Sequence, residues 1–183
     1  MSHFSKVETK IVDKEALENA LSSMGLSLEE NSFCRYYYGT EWKDLVARLH
    51  GPYDVAFEKN MDGTYSINAD FYGGYVEEEI GKNGSVILEK YSREKIKLEA
   101  RRKGFKVTVV DNRLKIYDSS DSSGSYLEAT FDKEGNVTFK AKGFNGANCM
   151  KFKSLEDSLG KSSRRFTPEY YNGTCENSVK VYY

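Results

Sequence analysis

Within KGFNGANCMKF, residues 142–152, Gly143 and Gly146 precede Cys149, and apolar residues then recur at helical spacing. A thiol in the first turn of a helix lies beside unpaired amides at the positive end of the dipole. Both effects lower its pKa, which suits a nucleophile or a redox group. Cysteine catalysis also needs a base, and the only histidines, His3 and His50, are remote in sequence. Cys149, Phe152, Leu155 and Leu159 fall on one helical stripe, so a buried, inert thiol is the stronger reading of the same spacing. The stretch lacks the GxxxxGK[ST] spacing of a phosphate loop. Its glycines are read instead as a strand-to-helix turn, where positive φ is cheap only for glycine.

The carboxylates offer three places for acid–base chemistry or cation binding: Ser27–Glu30, Asp70, and the run Glu77, Glu78, Glu79. Paired acids must converge in a cleft to do acid–base work, and charge runs are usually solvated faces. Calcium-loop spacing is absent around Glu77. Cys34, Cys149 and Cys175 form no CxxC pair, so neither a zinc site nor a disulfide framework is expected. No cofactor and no metal is implied.

Two basic clusters follow predicted helices: Arg101, Arg102 and Lys103, then Lys161, Arg164 and Arg165. Together they would make an anion-binding face, with Tyr170 and Tyr171 available to stack bases. The simpler reading is charge complementing helix C-termini. The net charge of −1 also argues against a nucleic-acid surface. The densest aromatic stretch is FCRYYYGTEW, residues 33–42. Strand alternation sends Tyr36 and Tyr38 one way and Tyr37 the other, so these residues and Trp42 are candidates for a partner surface.

The elements that must position these residues follow from periodicity and punctuation. Residues 3–12 alternate as a strand. Asp13 is an N-cap, Ala16, Leu17, Ala20, Leu21 and Met24 form a helical stripe, and Gly25 ends it. Residues 33–39 and 45–51 read as strands, and MDG and DN mark hairpins at 61–63 and 111–112. Residues 85–103 read as the longest helix, ended by Gly104, with Glu89–Arg93 and Glu99–Lys103 as i,i+4 pairs. A third hairpin, a short helix and a final strand follow residue 125. The fold expected is α+β, mostly antiparallel sheet with about three helices packed on one face.

A repeat runs through this plan. Residues 62–74 align with 134–146 at a constant offset of 72, with Ile67 on Phe139 and Gly74 on Gly146. Two hairpin–helix–strand units are the reading. Residues 118–125, DSSDSSGS, carry no apolar side chain and read as a linker. The domains expected are 1–118, a linker-like stretch at 119–125, and a small domain at 126–183 sharing a core with the first. The charge balance and the lack of a long apolar run point to a cytoplasmic protein with no membrane partner.

Two family resemblances fit this division. MSHFSKVETKI, DVAFEKNMDGTYSINADFYGG and KYSREKIKLEARRKGFKVT occur in that order, and residues 1–118 resemble the uncharacterised hypothetical chloroplast reading frame thirty-five family. GNVTFKAKGFNGANC, LEDSLG and FTPEYYNG mark a second resemblance, over about residues 126–173, to another small family of unknown function. The resemblance implies one chain that joins two partners usually found apart, and it brings no catalytic residues. The function expected is therefore a non-catalytic binding or adaptor protein with a protein partner, an ATPase-type machine being one to check. The alternatives are a nucleic-acid or anion binder through the basic clusters and an enzyme using Cys149.

Overall fold

The computed structural model describes residues 4–145, 151–158, 161–166, 174–175 and 177–182. The fold is α+β with two main antiparallel sheets. It divides into two compact units, Met1–Tyr91 and Ser92–Tyr183. No helix among the described residues is long and apolar enough to cross a membrane.

The first unit opens with strand β1 (Phe4–Ile11) and helix α1 (Lys14–Ser23). The Asp13 carboxylate accepts from the Ala16 N–H, as an N-cap should, and Gly25 closes the helix at φ 74. The apolar stripe Ala16, Leu17, Ala20 and Leu21 is buried. Four strands then form a meander: β2 (Ser27–Tyr36), β3 (Gly39–Arg48), β4 (Val55–Lys59) and β5 (Tyr65–Asp70). β1 returns beside β5, giving the order β1-β5-β4-β3-β2. Strand β2 begins at Ser27, so the acidic run SLEE lies within a strand. The Tyr91 hydroxyl accepts from the backbone of Val12 and Asp13 at 3.1 and 3.2 Å, fastening the start of α1.

Helix α2 (Tyr75–Ile80) holds the run Glu77, Glu78, Glu79, in a segment the sequence left without a helix. Helix α3 (Ser85–Arg102) follows and matches the long helix expected. Within it Glu99 pairs with Lys95 and with Arg102, each at 2.9 Å.

The second unit repeats the order of a helix followed by a four-strand meander: β6 (Phe105–Val110), β7 (Arg113–Asp118), β8 (Tyr126–Phe131) and β9 (Val137–Lys142). The turn between β6 and β7 places Asp111 and Asn112 at φ 46 and 64, the conformation of a tight hairpin. Then come β10 (Phe144–Asn145), α4 (Lys153–Asp157), β11 (Lys161–Phe166), β12 (Thr174–Cys175) and β13 (Asn177–Tyr182). The sheet order is β11-β13-β9-β8-β7-β6. Its core gathers Ile96 and Ala100 of α3, Leu114 and Ile116 of β7, Leu127 and Ala129 of β8, Val137, Phe139 and Ala141 of β9, and Phe144, Phe152 and Leu155. The DSSDSSGS stretch joins β7 to β8 inside this unit. Ser125 is buried there, and Lys151 pairs with Asp118 and Asp121, each at 3.0 Å.

The hairpins β4–β5 and β8–β9 share one register. Phe57 pairs with Ile67 and Lys59 with Tyr65; 72 residues on, Ala129 pairs with Phe139 and Phe131 with Val137. Their turns match too. Asn60 donates to Thr64 O and Gly63 to Asn60 O, while Asp132 donates to Asn136 O and Gly135 to Asp132 O. Ile67, Val137 and Phe139 are fully buried. The flanks differ, since β5 lies beside β1 and β9 beside β13. Gly146 lies outside the described residues.

Candidate functional site

The first unit carries a strip of four tyrosines contributed by three separate connections. Tyr37 lies in the turn after β2, Tyr53 before β4, and Tyr72 and Tyr75 where β5 passes into α2. Their rings form a continuous chain. Tyr72 and Tyr37 are 4.4 Å apart between centroids, Tyr37 and Tyr53 6.5 Å, and Tyr53 and Tyr75 5.9 Å. The last two contacts are edge-to-face, at 79°, the arrangement that ring quadrupoles favour. Tyr37 and Tyr75 are 54% and 48% exposed, while Tyr53 and Tyr72 are half-buried.

Three carboxylates hold the connections in place. Asp70, fully buried, accepts from the Tyr37 N–H at 3.1 Å and from the Tyr72 N–H at 3.0 Å. Asp54, also fully buried, accepts from the Arg35 side chain at 2.8 and 2.7 Å, from Arg48 at 2.7 Å, and from the backbone of Arg35 and Leu49. Burial pushes its carboxyl up, but the Arg35 guanidinium and these N–H donors outweigh burial and leave it below the usual aspartate range. Glu79 accepts from the His50 and Gly51 N–H groups at 2.9 and 2.6 Å, and its Oε2 lies 3.0 Å from His50 Nδ1. Burial raises the Glu79 carboxyl and the two backbone donors outweigh it, so the net shift is downward. A Cβ at Gly51 would stand 3.1 Å from Glu79 Oε1 and 3.6 Å from Tyr75 Cβ. This close approach puts the His50–Gly51 loop against the base of Tyr75.

The turn into α2 depends on glycine. Gly73 has φ 73, and a Cβ there would meet the Tyr75 ring at 2.7 Å. A side chain at 73 would therefore push Tyr75 out of the strip. Chemically the strip is a set of rigid, amphipathic rings held at fixed angles by buried acceptors. On α2 Glu77 and Glu78 are exposed beside the strip, and residues 70–79 carry no lysine or arginine. Such a surface suits cations over ring faces and apolar contacts between rings. Among the described residues no group of His, Cys, Asp and Glu is placed to hold a metal ion.

The aromatic candidates divide. Tyr37, Tyr38 and Trp42 are 54%, 52% and 57% exposed. Tyr36, expected with them, is only 4% exposed and clusters with Cys34, Val46 and Ala56. It is a core residue, because that face of β2 is covered. Tyr38 stacks on Tyr36 at 5.3 Å and donates its hydroxyl to Glu41 at 2.8 Å. Trp42 meets Phe33, its cross-strand partner, edge-to-face at 5.0 Å. The strip itself joins Tyr37 to Tyr53, Tyr72 and Tyr75, which sequence spacing did not connect. The available signal was a tyrosine in or next to each glycine-bearing connection.

The basic candidates do not converge on one strand edge. Arg101, Arg102 and Lys103 are exposed at the end of α3, which leads into β6 at one edge of the six-stranded sheet. Lys161, Arg164 and Arg165 lie on β11, at the opposite edge of that sheet. Cys149, His3, Leu159, Gly160, Tyr170 and Tyr171 lie outside the described residues. Phe152 and Leu155, the other members of the Cys149 stripe, are fully buried. Gly143, at φ 77, separates β9 from β10.

Residues 20–114 match a family described as protein of unknown function (DUF1257). Residues 127–171 match a second, described as protein of unknown function (DUF2997). No curated protein and no solved structure matches the chain.

Proposed function

This chain belongs to the DUF1257 family of proteins of unknown function, and from that premise we propose that it is a non-catalytic binding protein. Its first unit presents the strip Tyr72–Tyr37–Tyr53–Tyr75 to a basic segment of a partner protein. The observation that carries this reading is the convergence of three connections on one aromatic strip, each tied by a buried or half-buried carboxylate. Tyrosines fixed in advance lose little entropy on binding, and tyrosine is prominent among interface residues that dominate affinity. The exposed carboxylates of Glu77 and Glu78 favour lysine or arginine on the partner.

The narrower kinship, with the hypothetical chloroplast reading frame thirty-five family, is part of this proposal, as are a cytoplasmic location and an ATPase-type machine as one partner to test. The register shared by the hairpins β4–β5 and β8–β9 supports treating the two units as versions of one design.

A photo-crosslinking residue at position 75 tests the assignment against the same residue at Met61, an exposed turn away from the strip. The expected result is a protein adduct from position 75 whose crosslinked peptide is rich in lysine or arginine, and none from position 61. Equal yields from both positions would overturn it.

A further inference from the structure

The two family matches meet inside one sheet. The first ends at residue 114, in β7, and the second begins at residue 127, in β8. Those strands are hydrogen-bonded neighbours, with Leu114 opposite Ala129 and Ile116 opposite Leu127. Both sides contribute to one core. Ile96, Ala100, Leu114 and Ile116 come from before the connection, and Leu127, Ala129, Val137, Phe139, Phe152 and Leu155 from after it, in one buried cluster.

Specific contacts cross the same line. Phe105 packs on Phe152 at 4.8 Å, the Arg93 guanidinium lies 4.1 Å above the Phe131 ring, and the Ser92 hydroxyl donates to Gly135 O at 2.9 Å. Lys151 reaches back to Asp118 and Asp121, at the start of the connection. The covalent link between the sides is a short polar turn, whose Ser122 is exposed.

We propose that this boundary is a protein–protein interface closed within one chain. Helix α3 with strands β6 and β7 forms a docking face, and its occupant is the β8–β9 hairpin with Phe152 and Leu155, which adds strands to the β7 edge and packs on Ile96 and Ala100 of α3. The pairing rests on backbone ladder bonds plus apolar pockets, the elements of recognition by strand addition. The peptide connection raises the effective concentration of the two sides. The kind of partner this face fits is a polypeptide that brings a β8–β9-like hairpin with the apolar positions of Leu127, Ala129, Val137 and Phe139.

The test keeps the full chain. A protease site is inserted between Ser122 and Ser123, the folded protein is cut, and the product is run on a sizing column under native conditions. The expected result is one peak holding both fragments at the mass of the uncut chain. A bound pair also melts at a temperature that rises with protein concentration, whereas the uncut chain does not. In the cut protein, Phe152→Ala should release the fragments at lower urea than in the cut parent, while uncut Phe152→Ala stays monomeric and folded. Two separate peaks, or precipitation of one fragment on cutting, would overturn the proposal.

Discussion

Asp70 Oδ2 accepts the backbone N–H of Tyr37 across 33 residues of sequence, at 3.1 Å. The other oxygen of the same carboxylate accepts from Tyr72. One buried side chain thus sets the spacing of two rings whose centroids lie 4.4 Å apart. Asp70→Ala leaves two backbone donors without their acceptor. It should cost about 2 kcal/mol of stability, read by urea unfolding. The Tyr37 and Tyr72 ring resonances should also lose their mutual chemical-shift perturbation. Rings unmoved in the variant would show that the carboxylate does not position them.

Gly73→Ala tests the turn. The added Cβ would stand 2.7 Å from the Tyr75 ring, at a backbone φ of 73 that disfavours side chains. A cost of about 1–3 kcal/mol is expected, together with loss of the Tyr53–Tyr75 contact in a crystal structure. Gly74→Ala, where φ is 80 but nothing lies within 4 Å, should strain the backbone and leave Tyr75 in place.

Asp54 gives a pH signature. Its folded carboxyl titrates below the unfolded value. The stabilisation is therefore fully present above the unfolded pKa and is lost as pH falls through the folded one. Stability should hold steady from neutral pH down to about pH 4 and decline below it. Asp54→Asn should remove about 3 kcal/mol at neutral pH, because two arginines lose a fully buried partner. It should also flatten the acid limb. An unchanged acid limb in the variant would contradict this role.

Cys34 is fully buried, and burial pushes its thiol up to about 11 against a smaller opposing hydrogen bond with Tyr36. Iodoacetamide at neutral pH should leave Cys34 unmodified in the folded protein and label it after unfolding, as peptide mass spectrometry reports. Rapid native labelling of Cys34 would mean that the Cys34, Tyr36, Val46, Ala56 cluster opens readily.

Local signals were legible in the sequence where they act over a few residues. The Asp13 cap, the Ala16–Leu21 stripe, the Asp111–Asn112 turn and the span of α3 all follow from period and punctuation. The offset of 72 also marked two hairpins that prove to share a register. Tertiary arrangement was not legible. An acidic run such as SLEE reads as a solvated surface, and Ser27 and Glu30 are exposed, but that pattern did not show that Ser27–Glu30 pairs along β3 or that Glu29 meets Arg48 at 2.7 Å. Strand alternation placed Tyr36 with Tyr38 but could not say which face was covered. The DSSDSSGS composition reads as linker-like and does not show what its charges meet. Its aspartates are held by Lys151, 30 residues away from Asp121, a pairing no local pattern encodes. The strip itself required three connections to meet, which depends on sheet order.

The most direct measurement is the affinity of the double variant Tyr37→Ser, Tyr75→Ser for the protein crosslinked at position 75, by calorimetry at two salt concentrations. Removing two anchoring rings should weaken binding by about 30-fold or more, equivalent to about 2 kcal/mol. The parent's affinity should fall as salt rises, and the variant's unfolding midpoint should stay close to the parent's. An affinity equal to the parent's in a folded variant would contradict the tyrosine strip as the binding surface.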